Sequence, residues 1–157
     1  MNSKKNIAIS GAGLVGSLLS IYLAKRGYDV TVFERRKDMR LAGAEGGRSI
    51  NLALSNRGIR ALDEVGLAEE MKKVAIPMHG RVMHDLAGKL TFQPYGKQGQ
   101  FINSVSRSAL NIVLMNKAES MGVKFLFQQR ITKVDSEKTS LTIEHNHVTE
   151  EKYFDLI

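Results

Sequence analysis

The residues best placed to do chemistry lie near the start of the chain. Gly11-Ala12-Gly13-Leu14-Val15-Gly16 follows the apolar run Asn6–Ser10 and precedes a stretch of helical periodicity. In that setting each glycine has a use: Gly11 permits a tight turn, Gly13 leaves room for a pyrophosphate, and Gly16 lets a helix approach a strand. The helix start adds free N–H groups and a partial positive charge, both suited to phosphate. Glu34 lies eighteen residues beyond Gly16, where a carboxylate can accept from the hydroxyls of an adenosine ribose. Turn, helix start and acid together describe a dinucleotide site for FAD or NAD(P). Arg35 and Arg36 could suggest the 2′-phosphate of NADP, but an acid in the ribose position would repel it.

Three elements must position these groups. Residues 6–10 and 29–34 (DVTVFE) read as buried-type strands. Residues 12–27 read as a helix with Leu14, Val15, Leu18, Leu19, Tyr22 and Leu23 as its apolar stripe, ending at Gly27. Strand, helix, strand over about 30 residues is a βαβ unit with a parallel pair and a right-handed crossover. A polar loop follows over 35–48, then helices over about 56–65 and 67–74. GRVMHDL and KLTFQPYG read as two strands joined through Ala87-Gly88, with QFINSV (100–105) as a third. Ser106 is an N-cap for a helix over about 107–121, and VKFLFQ, ITKVDS, SLTIEH and YFDLI read as further short strands. A nicotinamide dehydrogenase would continue with alternating helices and strands. The hairpin over about 79–105 instead suggests a flavin-binding sheet interrupted by a substrate-binding insertion.

Composition bounds the function. The chain has 157 residues, about one domain's worth, with 43% hydrophobic residues and no cysteine, which excludes disulfides and thiolate metal sites. No apolar run approaches the roughly 20 residues of a membrane span, and the N-terminus lacks a signal-peptide pattern, so a cytoplasmic protein is expected. The net charge of +7 is spread without a long basic run, which points away from a nucleic-acid surface and fits either an anion-binding cleft or a truncated chain whose acidic part lies elsewhere. The seven methionines are scattered, as core filler would be. His145 and His147 share a strand face but have no third ligand nearby in sequence, and no metal site is expected.

A more specific signal comes from five segments in order: ISGAGLVGSLLSIYLAKRG, GRSINLALSNRGIRAL, IPMHGRVMH, PYG and SVSRSALN. Their sequence and spacing resemble the kynurenine 3-monooxygenase family, single-FAD aromatic hydroxylases of the p-hydroxybenzoate hydroxylase type, from Ile7 to Ile157. The glycine pattern is common to many flavoproteins, whereas GRSINLALSNRG is characteristic of this family. The resemblance implies an α/β, Rossmann-like FAD-binding domain with a βαβ unit and an inserted, substrate-contacting β-hairpin over about 75–105. Position by position, it implies FAD contacts at Gly11, Gly13, Val15, Gly16, Phe33, Glu34, Arg35, Arg36, Ala53, Arg107 and Ile131. Ala53 would lie against the flavin, with Arg48, Ser49 and Asn51 held by backbone and flavin groups. Arg107 would reach the phosphates and ribityl chain, and Ile131 the adenine.

On the substrate side, Arg81 would pair with the carboxylate of L-kynurenine and Tyr95 would meet the same group through its hydroxyl. The implied reaction is hydroxylation to 3-hydroxykynurenine with NADPH and O2, without a protein base, because the ring amine already activates the carbon attacked. The chain stops at YFDLI, ahead of the Gly-x-Asp-Gly and Gly-Asp segments of the family. A truncated, N-terminal part of the enzyme is therefore expected, inactive by itself and without a membrane anchor. Two alternatives remain: another FAD-dependent aromatic hydroxylase, or a non-catalytic dinucleotide-binding module.

Overall fold

A computed structural model describes residues 4–41 and 50–157. The chain divides into two units, residues 1–48 with 110–157, and residues 49–109.

In the first unit, β1 (Asn6–Ser10) and β2 (Asp29–Glu34) pair in parallel, connected by α1 (Leu14–Lys25). β1 buries Ile7, Ala8 and Ile9, and β2 buries Val30, Val32 and Phe33, as a sheet covered on both faces requires. β8 (Lys124–Phe127) adds in parallel to the outer edge of β2. On the other edge of β1, the Ala8 N–H donates to the Leu156 carbonyl at 2.9 Å. The expected strand at YFDLI is thus present as an isolated parallel bridge between Ile7 and Leu156.

The remaining strands form an antiparallel meander of β9 (Arg130–Asp135), β10 (Ser140–His145) and β11 (Val148–Tyr153). β11 has no counterpart in the sequence reading. Its run Val148-Thr-Glu-Glu-Lys-Tyr153 is mostly exposed, so it lacks the apolar alternation by which a strand is recognised. Ala8 and Phe33 of the parallel sheet share a core cluster with Leu141 and Ile143 of β10, and Phe154 meets Phe33 edge-on at 5.9 Å.

The apolar stripe predicted for α1 is not its most buried face: Leu14, Leu18, Tyr22 and Leu23 are half-buried, and Leu19 is exposed. Ser17, Ser20 and Ile21 are its buried residues, whereas Val15 is 80% exposed. A helix lying this close to its neighbours needs small side chains on its inner face. A Cβ at Gly16 would run into the Gly11 carbonyl.

The second unit contains β3 (Asn51–Leu54), α2 (Asn56–Glu64), α3 (Ala68–Val74), β4 (Ile76–Met78), β5 (Gly80–His84), β6 (Leu90–Pro94) and β7 (Ile102–Ser106). β5 and β6 form the predicted hairpin, turning through Asp85–Lys89. The strand expected as its third member, β7, instead lies between β3 and β4 in a separate antiparallel sheet. α4 (Arg107–Ser120) begins in this unit and continues into the first, with the Ser106 hydroxyl accepting from the Ala109 N–H at 3.4 Å, the predicted cap.

Candidate functional site

The glycine turn is built by backbone bonds. Gly11, at φ +97°, donates its N–H to the Phe33 carbonyl at 2.7 Å, which ties the end of β1 to β2. Ala12 is held at both ends of its peptide groups. Its N–H donates to Glu34 Oε2 at 3.0 Å, and its carbonyl accepts from the buried Asn111 amide of α4 at 2.8 Å. A Cβ on Gly13 would meet no protein atom within 4 Å. The missing side chain therefore keeps open a space outside the protein. Gly13 is also the N-cap of α1, with no side-chain cap and no acid in the first turn, so the helix start stays available to an anion.

Beside the turn is a cleft of about 410 Å³ lined by Ser10, Gly11, Phe33, Glu34, Arg35, Arg36, Gln129, Arg130 and Ile131. Six of the predicted cofactor residues belong to this unit's cleft: Gly11, Phe33, Glu34, Arg35, Arg36 and Ile131. Glu34 is only 16% exposed, and its Oε1 accepts from the Arg36 N–H at 2.9 Å. Each carboxylate oxygen thus has one backbone partner and a lone pair to spare for a ribose hydroxyl. Phe33 contributes its backbone, because its ring is buried in the core. Val15 stands at the start of α1 with its side chain exposed, leaving its backbone as its contribution to the turn.

Arg40, absent from the sequence reading, clamps the loop that follows. Its guanidinium binds Asp38 through three N–H···O bonds, reaches Asn116 and Glu119 on α4, and lies 5.7 Å above the Phe127 ring. Arg40 holds the Asp38 carboxyl below its ordinary value. Asn111 and Gln129 were missed as well. Asn111 lies within SVSRSALN, but its role depends on Ala12, which the fold brings to it across 99 positions.

The other predicted residues belong to the second unit. β3 alternates, with Leu52 and Leu54 half-buried and Asn51 and Ala53 exposed. Arg48 and Ser49 lie outside the described residues. Arg107 is exposed at the start of α4 and donates its backbone N–H to the Ile50 carbonyl at 3.2 Å.

In the hairpin, Arg81 pairs with Gln93, and the Tyr95 N–H donates to the His79 carbonyl at 3.0 Å, which extends the same register by one pair. Arg81, Gln93 and Tyr95 therefore share one face. Arg81 donates from Nε to Gln93 Oε1 at 2.7 Å, which fixes the guanidinium plane, and it has no carboxylate partner among the described residues.

A family model described as an FAD binding domain matches residues 4–154. The chain belongs to the FAD-binding domain family. The open Gly13, the uncapped start of α1 and the cleft at Glu34 fit the adenosine diphosphate half of FAD. The chain is 55% identical over 131 residues to a kynurenine 3-monooxygenase of Cytophaga hutchinsonii, covering 82% of this chain and 29% of that protein. It is 53% identical over 150 residues to one of Myxococcus xanthus, covering 94% and 32%. The chain thus spans about a third of the length of the curated relatives it matches. Among solved structures, 2-methyl-3-hydroxypyridine-5-carboxylic acid oxygenase superposes with a TM-score of 0.78 at 22% identity, covering 99% of this chain and 39% of that one, a likeness of fold. Among the described residues, no helix is long and apolar enough to cross a membrane, and no group of three metal-binding side chains occurs.

Proposed function

We propose that the protein carrying this chain is an FAD-dependent monooxygenase of the cytoplasm that converts L-kynurenine to 3-hydroxykynurenine. NADPH is oxidised, and one oxygen atom of O2 enters the ring while the other leaves as water. The observation that supports the substrate best is the hairpin face on which Arg81 and Tyr95 stand together, with the guanidinium oriented by Gln93 and unpaired with any described carboxylate. The relatives named above are kynurenine 3-monooxygenases at 53% identity or more, which supports the same choice.

Arg81 binds the carboxylate of the amino acid through a charge-assisted contact and thereby orients the ring. Tyr95 donates its hydroxyl to the same carboxylate. Glu34 accepts from the ribose of FAD, Gly13 and the start of α1 take the pyrophosphate, and Arg35 and Arg36 flank the adenosine. Ile131 packs at the adenine end. Ala53 contacts the flavin from the exposed face of β3, and Arg107 binds the phosphates and ribityl chain. Bound flavin supplies the reduction by NADPH and the activation of oxygen. The protein needs no general base, because the amine on the substrate ring already enriches the carbon to be hydroxylated.

The test is formation of 3-hydroxykynurenine by the FAD-loaded protein with NADPH, oxygen and L-kynurenine. Oxidation of NADPH stimulated by a different aromatic acid, with none from kynurenine, would instead assign the substrate to another member of this flavin class.

A further inference from the structure

We propose that Gln129 recognises the adenine base of the bound nucleotide, an inference that rests on reading the Glu34 cleft as the site for the adenosine half of FAD. The loop between β8 and β9 extends the pairing of β2. The Gln128 N–H donates to the Arg36 carbonyl at 3.0 Å, and the Gln129 N–H donates to the Glu34 carbonyl at 2.9 Å. Gln128 adopts φ +58° at this point, which turns the chain into the cleft wall. Gln129 is thereby fixed next to the residue that takes the ribose, and a base attached to that ribose falls among Arg35, Arg36, Gln129, Arg130 and Ile131.

Adenine presents an amine donor at its 6-position beside ring-nitrogen acceptors. The arginines can only donate, and the Ile131 side chain can do neither. Gln129 alone in this set has an amide, with an acceptor and a donor side by side that match the adenine edge. Its Oε1 is also the one buried side-chain oxygen or nitrogen without a hydrogen-bond partner among the described residues. An unpaired buried carbonyl carries the cost of an unmade bond. Rotation of the terminal amide torsion, a soft rotor, brings that oxygen to a donor entering the cleft.

The probes are ADP and purine riboside 5′-diphosphate, which lacks only the amine, titrated calorimetrically into the 157-residue chain. We expect ADP to bind about tenfold more tightly. Gln129→Met, close in shape but without an amide, should bring ADP down to the level of the analogue and leave the analogue nearly unchanged. Equal affinities in the parent chain would overturn the role of Gln129 while leaving the nucleotide cleft in place, as would a preference that survives in a folded Gln129→Met. Should Gln129→Met not fold, Gln129→Leu, which also lacks the amide, takes its place in the same comparison. Binding of neither nucleotide would overturn the reading of the cleft itself, and this inference with it.

Discussion

The two units carry their candidate groups in opposite ways. In the first, the glycine turn is held by backbone groups and by polar side chains that are already bonded, while the Gln129 amide oxygen beside it is not. Glu34 holds the amides of Ala12 and Arg36, Asn111 holds the Ala12 carbonyl, and the Phe33 carbonyl holds Gly11. In the hairpin of the second unit, the candidate groups are exposed side chains, and Arg81 is steadied by a single bond from Gln93. A site built from backbone is set once the fold forms and tolerates little change in it. A site built from exposed side chains can be altered without cost to the fold, which suits a place where the substrate is chosen.

Substitutions in the glycine turn should produce the largest effects and can divide the first unit's two roles. Gly16→Val drives a side chain into the Gly11 carbonyl and should destabilise the protein by roughly 3 kcal/mol, read as a lower denaturation midpoint. Gly13→Val fills only open space. It should leave that midpoint nearly unchanged while weakening ADP binding by about a hundredfold or more. If both variants lose stability alike, Gly13 serves the fold and the contrast fails.

Next in size is the hairpin. Arg81→Ala should raise the KM for kynurenine by roughly 10- to 150-fold, the equivalent of about 1.5–3 kcal/mol, with no change in melting temperature. Arg81→Lys should restore part of the loss, since an ammonium lacks the planar fork. An unaltered KM in Arg81→Ala would remove this arginine from the site. A large drop in stability would show that the hairpin is not the independent surface described above.

Asn111→Leu should cost about 1.5 kcal/mol, because the Ala12 carbonyl loses its partner inside the protein. ADP affinity should fall with it, as the turn relaxes. Retained affinity would mean that Glu34 and the Gly11–Phe33 backbone bond suffice to hold the turn.

The smallest effect concerns Asp38. Its carboxyl is held below the ordinary value chiefly by its hydrogen bond to Arg40, so it is ionised at lower pH in the folded chain than in the unfolded one. That stabilisation is present above the usual carboxylate range near 4 and disappears as pH falls through the lower, folded value. The stability gap between the parent chain and Asp38→Asn should therefore be open at neutral pH and close progressively below about pH 4. A gap independent of pH would show that Asp38 contributes by packing alone.

What the sequence made legible was what is local. Gly11, Gly13, Gly16 and Glu34 lie within one βαβ unit, and their spacing alone predicts the turn and the strand end beside it. α1 shows the limit of periodicity. Its apolar residues were the obvious stripe, yet the most deeply buried positions are Ser17, Ser20 and Ile21, because close approach needs small side chains there, and Leu14, Leu18, Tyr22 and Leu23 are only half-buried. β7 could not be placed from sequence, because its partners β3 and β4 are set by long-range pairing while the neighbouring hairpin offered a nearer choice. Arg40, Asn111 and Gln129 are single polar residues in unremarkable stretches, and only the folded chain shows what each one meets.

The bridge between Ile7 and Leu156 sets a schedule for synthesis. β1 is among the first segments to leave the ribosome, yet one of its edges gains its neighbour only when residue 156 has been made. At about 5–20 residues per second, that edge waits roughly 8–30 s with its hydrogen-bonding groups uncovered. A bare strand edge is a template for pairing with another chain. The nascent polypeptide is thus most open to misassociation at its oldest strand, and slower elongation lengthens the exposure.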